Sequence, residues 1–411
     1  LEGFIFLSNL RQMNCILFDP IKERNQLQPF TLTRPVSHIR VGILTIHEKW
    51  GKYLQTEKLS NLTQTYLQEK YPLHIEAENL YINGSICPNE KIIHEIKQLN
   101  EGQALYNNNV LIAMRLNHQT EFKENLPDCT KIESTVDDCN QIQFPQDIFS
   151  LNGAEIERDF DLLTAGRKSA EIPEGNQVIN AQKIFIEEGA SVLFSVLNAS
   201  NGPIYIGKDA EVMEGCKIRG PFALCAHAGL KMDAKIYGAT TIGPYCKVGG
   251  EVNNSVFFSY SNKGHDGFVG NAVIGEWVNM GADTNNSNLK NTYDEVKLWS
   301  YSEKRFIKTG LTFCGLMMAD HAKCGINTMF NTGTVVGVGA NVFGTGFPRN
   351  YIPDFSWGGT QGFETFIISK FYKTAEAMCK RRNIEFGEID KKLFEKIFEM
   401  TSENRFWENN K

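Results

Sequence analysis

The sequence predicts an α/β domain, then a parallel β-solenoid built of hexapeptide repeats, then C-terminal helices. Three observations predict it. Between Ile206 and Val248 an aliphatic residue falls on every sixth position: Ile206, Val212, Ile218, Leu224, Leu230, Ile236, Ile242, Val248. Upstream, apolar strand-like runs alternate with helix-like stretches, and near the C-terminus apolar residues recur at helical spacing. A period of six is neither the 3.6 of a helix nor the 2.0 of a plain strand. It suits a triangular coil of three short flat strands, each pointing one aliphatic side chain inward. The residues two before the last seven of these positions are mostly small (Ala210, Cys216, Phe222, Ala228, Ala234, Thr240, Cys246), which lets the backbone turn each corner.

Taken in order, Asn14 to Phe18 reads as a buried strand. Leu44 to Tyr53 and the stretch around Ile93 to Leu99 read as helices, and Tyr81 to Ile86 and Val110 to Leu116 as strands. This alternation places an α/β domain at residues 13–165, ending near Leu162. Thr164 to Gln177 has no period and is read as a linker. The solenoid is expected over 176–350, starting near Val178, with a break at Asn253-Asn254. Its period returns at Phe268, Ile274 and Met280, and again at Phe330, Val336 and Val342. Asn285 to Leu316 breaks the rhythm and is expected to protrude over a binding face. Residues 351–411 are expected to cap the last coil, with one helix in 362–382 on Phe363, Phe366, Ile367, Phe371 and Ala375, and another at about 388–400.

Composition narrows the function classes. The chain has 411 residues, with Lys+Arg 42 against Asp+Glu 48 and a net charge of −6, which gives no basic footprint for nucleic acid. No apolar run approaches the roughly 20 residues of a membrane span. The ten cysteines contain no C-x-x-C and no zinc spacing. They are read as reduced thiols of a cytoplasmic protein, and no metal ligand is assigned. Gly-Phe-Ile-Phe-Leu is too short for a secretory signal. Met13 reads as a natural start, so residues 1–12 are expected to be upstream sequence.

The most informative stretch runs from Asn254 to Lys297. It contains His265, Phe268-Val269-Gly270-Asn271, Ile274-Gly275, Val278-Asn279-Met280-Gly281-Ala282-Asp283-Thr284, Asn288-Leu289-Lys290 and Glu295-Val296-Lys297. In order and spacing this resembles the acetyltransferase domain of the bifunctional UDP-N-acetylglucosamine pyrophosphorylase/glucosamine-1-phosphate N-acetyltransferase family, in a diverged bacterial branch. The resemblance covers about residues 200–345. It implies a left-handed β-helix and transfer of acetyl from acetyl-CoA to an amino-sugar 1-phosphate. The chemistry needs a base to take a proton from the amine, and an imidazole with its pKa near about 6.5 suits neutral pH. His265, between Gly264 and Gly267, is the residue implied. The resemblance implies Asn288 at the amino sugar, Arg219 at the acceptor phosphate, and Lys297 near coenzyme A phosphates or the acceptor phosphate. Ala282 and Asp283 would lie beside the cofactor, where a backbone N–H from the adjacent coil can stabilise the oxyanion. Two positions depart from the pattern. Asn253 stands where the family has lysine, and Phe268 where it has tyrosine. Lys263 or Arg219 is the expected substitute for the missing cation beside the substrate.

The amino-terminal domain resembles sugar-1-phosphate nucleotidyltransferases less closely. A strand leads to Asp19-Pro20-Ile21-Lys22-Glu23-Arg24, and Phe30-Thr31-Leu32-Thr33-Arg34-Pro35 keeps the tail of the signature. The glycines that approach a triphosphate are absent, and Val36 stands where lysine is expected. Ser85 in Asn83-Gly84-Ser85 replaces the family's magnesium-binding Asp. Arg24 and Arg34 are the nucleotide-binding candidates, and Mg2+ is implied only where this domain is active.

The function expected is therefore acetyl transfer in sugar-nucleotide biosynthesis. The expected partners are a sugar 1-phosphate, acetyl-CoA and, if the first domain is active, a nucleoside triphosphate. Neither nucleic acid nor membrane is expected as a partner. Two alternatives stand beside this reading. One is a UTP- or dTTP-dependent nucleotidyltransferase whose solenoid only trimerises it, and the other is a non-catalytic sugar-nucleotide-binding scaffold. In the family three prisms pack along their flat faces, so a homotrimer is expected.

Overall fold

The computed structural model describes residues 13–117 and 128–408. The segment expected to be upstream, 1–12, lies outside the described residues. Two compact units emerge. One contains the chain to Leu27, Arg34–Ile39 and Leu44–Gln143; the other contains Gln28–Thr33, Arg40–Ile43 and the chain from Phe144.

The first unit is built on a six-stranded sheet in the order Leu59–Leu62, Asn14–Phe18, Asn79–Asn83, Val110–Leu116, Gln103–Asn107, Thr130–Glu133. Its first three strands are parallel. Val110–Leu116 runs antiparallel to both its neighbours. All five residues of Asn14–Phe18 are buried, as its unbroken apolar run requires. The helix Ile46–Leu54 starts at a Thr45/Glu48 capping box and buries Trp50, whose Nε1 donates to Ile86 O at 2.9 Å. The helix expected at Ile93 to Leu99 begins earlier, at Glu90, because Asn89 caps it by accepting from Ile92 N–H. The strand expected at Tyr81 to Ile86 ends at Asn83, where Gly84 turns the chain.

The second unit is a three-faced parallel prism. Its first face runs from Gln177–Ile179 to Phe268–Gly270, its second from Ile184–Ile186 to Tyr351–Ile352, and its third from Ser191–Val192 to Gly362–Thr365. The eight aliphatics at six-residue spacing all lie in one buried core, as a one-inward-residue-per-strand coil demands. The period slips after Val248. The next inward residues are Val252, Phe257, Lys263 and Val269, because the Gly249-Gly250 corner shortens the step to four residues. Phe268, expected inside, is therefore outward and half-buried, and its neighbour Val269 fills the core.

One corner between the second and third faces carries an aromatic on successive coils: His227, Tyr245, Tyr260, Trp277 and His321, all with φ of 57–61°. Their rings stack at 4.6, 4.9, 4.4 and 6.0 Å. A left-handed backbone costs a non-glycine residue roughly 1–2 kcal/mol, and each aromatic pair returns about 0.5–1.5 kcal/mol.

The insertion 287–315 contains a hairpin of Lys297–Ser300 and Arg305–Lys308. It folds back onto the prism through buried Val296 and Leu298 and a Trp299–Tyr351 stack at 4.3 Å, so it protrudes less than expected. The C-terminal segment also differs from expectation. Gly362–Thr365 is a strand, antiparallel to Ser356–Gly359, and this strand closes the edge of the third face. The helix starts only at Ile368 and ends at Lys380; a second spans Glu388–Met400. Phe371, Phe386 and Phe394 surround His321 at 5.0–6.0 Å, so the pair covers the aromatic corner of the prism. The helix Asn152–Thr164 also packs on the prism, with Ile156 against Phe185, Tyr205 and Ala223.

Candidate functional site

The corner after the third face at Lys263 carries His265 on the turn Gly264–Gly267. His265 and Asp266 are exposed, and the imidazole has no hydrogen-bond partner among the described residues. Gly267 is required there. Its φ is +112°, and a Cβ would lie 2.2 Å from Thr284 O of the next coil. That next coil supplies the other site residues. Asn285 Oδ1 accepts from Phe268 N–H at 2.7 Å, and Asp283 N–H donates to Asp266 O at 3.0 Å. Asn286 takes an inward position, and its amide exchanges two 3.0 Å bonds with the Gly270 peptide, standing in for a strand. Asn288 Nδ2 donates to Asn271 Oδ1 at 2.8 Å. A Cβ built on Gly270 would meet both the Phe268 ring and Asn288 Nδ2 within 3 Å, so these two side chains converge. The turns that carry His265 and Ala282 thus adjoin, and Phe268 leads from them along the first face to Asn288.

The N–H groups of these turns are unequal. Gly281 N–H donates to Cys324 O and Asp283 N–H to Asp266 O. Among the described residues the Ala282 N–H has no acceptor, so it is free to donate to a developing oxyanion. Asp283, expected beside the cofactor, offers an exposed carboxylate and a spent N–H.

Lys263 is not a surface cation. It is 1% exposed, in register with core Val248, and its ammonium donates to the carbonyls of His265 at 2.7 Å, Asp266 at 3.2 Å and Gly249 at 3.2 Å. It cannot reach a substrate phosphate; it holds the His265 turn from inside. Burial pushes its pKa down to about 8. Arg219 is exposed on the first face, but it stands three rungs from Gly270, about 14 Å at 4.8 Å per rung. It is not part of this site.

Lys297 lies in a separate groove of about 900 Å3, lined among others by Lys290, Trp299, Phe306, Arg349 and Phe406. Lys290, two residues beyond Asn288, donates to Glu295 O at 2.7 Å. The sequence reading missed Asn285, Asn286 and Arg349. The Thr-Asn-Asn-Ser-Asn run was the available signal for the first two, since asparagine side chains can replace peptide groups.

In the first unit the C-terminal ends of the parallel strands are closed by internal bonds. Arg24 is 2% exposed and donates to Asp19 Oδ2 and Tyr66 OH, both at 2.9 Å. Asp19 also accepts from Val36 N–H at 2.8 Å and from Thr63. Burial pushes the Asp19 carboxyl up, against the pull of Arg24. Arg34 is buried as well, so neither arginine is displayed to a nucleotide. Ser85 is 0% exposed, donates to Asn83 Oδ1 at 2.7 Å and accepts from Gln141 at 3.0 Å. This does not fit a magnesium ligand, which needs a charged oxygen facing an open site.

Residues 15–168 match the sugar nucleotidyl transferase family. The match covers the first unit's sheet and the segments that follow it. Over 144 residues the chain is 31% identical to a bifunctional sugar-1-phosphate nucleotidylyltransferase/acetyltransferase of Sulfurisphaera tokodaii, which covers 34% of this chain and 35% of that protein. Over 112 residues it is 34% identical to the bifunctional protein GlmU of Gloeothece citriformis, covering 27% of this chain and 20% of that one. The chain thus spans about a third or less of the curated relatives it matches. Among solved structures it is similar to AntD, an N-acyltransferase from Bacillus cereus in complex with dTDP and 3-hydroxybutyryl-CoA, at 13% identity, 51% of this chain, 91% of that chain and a TM-score of 0.23. It is also similar to Arabidopsis UDP-N-acetylglucosamine acyltransferase, at 10% identity, 52% and 81% coverage and a TM-score of 0.27. The assignment of a parallel prism rests on the chain's own three sheets.

Proposed function

We propose that the prism transfers an acetyl group from acetyl-CoA to the amine of an amino-sugar 1-phosphate, as a step of sugar-nucleotide synthesis. The observation that carries this is an exposed, unpaired His265 on a turn that adjoins the turn of the unspent Ala282 N–H, with Phe268 and Asn288 converging on the face beside it. The amine nitrogen attacks the thioester carbonyl carbon, and His265 takes the amine proton. Ala282 N–H stabilises the tetrahedral oxyanion. The C–S bond then breaks, the thiolate leaves, and the proton held by His265 returns to sulfur. Asn288 orients the acceptor sugar, and Lys297 with Arg349 holds phosphate in the neighbouring groove.

In this reading the sugar nucleotidyl transferase segment contributes no nucleotidyl transfer. What supports this is the sealed Asp19–Arg24 pair, the buried Arg34 and the engaged Ser85. The test is release of free thiol from acetyl-CoA with glucosamine 1-phosphate. The wild type is expected to turn over and His265→Ala to lose on the order of 100-fold or more, as for a general base. No thiol release by the wild type with any amino-sugar phosphate overturns the proposal. The same preparation is expected to release no pyrophosphate from UTP or dTTP with a sugar 1-phosphate and Mg2+; release would restore the nucleotidyltransferase reading.

A further inference from the structure

A second cavity, of about 510 Å3, opens over the third face and is walled by the C-terminal end of the Ile368–Lys380 helix. Its lining includes four cations, Lys247, Lys323, Arg381 and Arg382, and no carboxylate. It shares no lining residue with the His265 turn or the Lys297 groove. Lys247, Asn262, Asn279 and Lys323 are register partners on consecutive strands, so the two lysines are three rungs apart, about 14 Å along the face. Arg382 reaches down between them and donates to Asn262 Oδ1 at 3.1 Å. The edges of stacked Tyr260 and Trp277 form the side wall. Their ring faces cover each other, so the wall shapes the cavity and offers no stacking platform.

The charge arrangement is costly for the chain alone. Among the described residues none of the four cations is paired with a carboxylate. Lys247 is held below the usual lysine range by burial first and then by the like charges of Arg382, Lys231 and Arg381, with Glu211 opposing. Lys323 is half-buried, and its ammonium has one protein acceptor, His321 O at 2.9 Å. A lysine ammonium has three donors, and the guanidinium of arginine presents a planar fork matched to phosphate. Cations gathered without counter-charge around a polar cavity attract an anion. Two lysines far apart with a guanidinium between them suit an extended anion better than a single phosphate.

We infer that this cavity binds a small molecule through a pyrophosphate group, held by Lys247, Lys323 and Arg382. The inference stands apart from the acetyl-transfer reading, since it uses none of the same residues.

The test is calorimetric titration of the full chain with inorganic pyrophosphate and, separately, with ADP, both without metal. The wild type is expected to bind, with affinity falling as salt rises. Lys323→Gln and Arg382→Gln are each expected to weaken binding by about tenfold or more, roughly 1.4 kcal/mol. Arg382 is at a helix end, so that variant is informative even if Lys323→Gln misfolds. Lys235→Gln, an exposed lysine on the first face outside both grooves, is expected to bind as the wild type does. Equal affinity for pyrophosphate and ADP would assign the anhydride alone as the ligand; tighter binding of ADP would assign a nucleotide. Absence of binding at millimolar ligand, or unchanged affinity in Arg382→Gln, overturns the inference.

Discussion

Lys263 stands where the prism repeat demands an aliphatic side chain. A buried ammonium loses its hydration, which costs several kcal/mol unless other groups replace the water. Here three backbone carbonyls replace it, and two belong to His265 and Asp266. The core position is thereby exchanged for a tether on the turn that carries the proposed base. Lys263→Met fits the volume but leaves the His265 carbonyl without this donor and the turn without its anchor. Lys263 is thus a positioning residue. The variant is expected to keep its fold and its KM within about twofold, while kcat falls by about tenfold or more through misplacement of His265. Loss of KM alone would assign Lys263 to substrate binding. The titration gives a second readout. The folded pKa of about 8 lies below the ordinary 10.5, so the unfolded chain binds the proton more tightly between these values. The contribution of Lys263 to stability is therefore present above pH 10.5 and lost as pH falls through about 8. Urea melts at pH 7.5 and 9.5 are expected to show this rise for the wild type and not for Lys263→Met.

At the scale of elements, the inserted hairpin is latched to the last coils by one buried pair. Tyr301 OH donates to Asp354 Oδ2 at 3.1 Å, and Val338 N–H donates to Asp354 Oδ1 at 2.7 Å. Asp354 is 0% exposed, and burial raises its pKa from 3.8 to about 6. Native Asp354 holds its proton more tightly than the unfolded chain does. Its contribution to stability is full below pH 3.8 and is lost as pH rises through about 6, on the order of 2–3 kcal/mol. Asp354→Asn is expected to flatten this fall, measured as the difference in thermal midpoint between pH 4 and pH 7. An unchanged pH profile would show that other groups set it. Neither this latch nor the aromatic corner was legible in the sequence. Tyr301 and Asp354 are 53 residues apart and belong to no repeat, so only the folded coil brings them together. His227, Tyr245, Tyr260, Trp277 and His321 are spaced unevenly because several corners are shortened and one coil carries the insertion. The prism was legible because one inward residue per strand imposes a strict period. His265 and Asn288, the residues of the proposed site, stand out in the sequence because the turn and the following coil are continuous in it. Lys263 was misplaced because charge alone does not say which face of a strand a side chain takes, and the rung on which Arg219 stands was equally beyond the sequence.

At the scale of the whole molecule, the single chain leaves apolar surface beside the proposed site. Asn327 N–H donates to Ala282 O at 2.8 Å, which places the next corner directly against the site. Beside it Ile326 is 70% exposed, and Phe343 and Phe347 on the following coil are 42% and 54% exposed. Large apolar side chains exposed together in this way mark an interaction surface. A second copy is the occupant the proposed site requires, because a corner of one prism walls its substrates on one side only. The family resemblance, in which three prisms pack along their flat faces, implies that the copies assemble as a homotrimer with three sites between neighbours. Light scattering is expected to give about three times the 46.4 kDa of the chain. Ile326→Glu places a charge on this surface and is expected to dissociate the assembly and abolish thiol release, while His265→Ala stays assembled and is equally inactive. A wild-type monomer with full acetyl transfer would show that one prism encloses both substrates by itself. An Ile326→Glu monomer with full activity would show that this surface serves assembly and not the reaction.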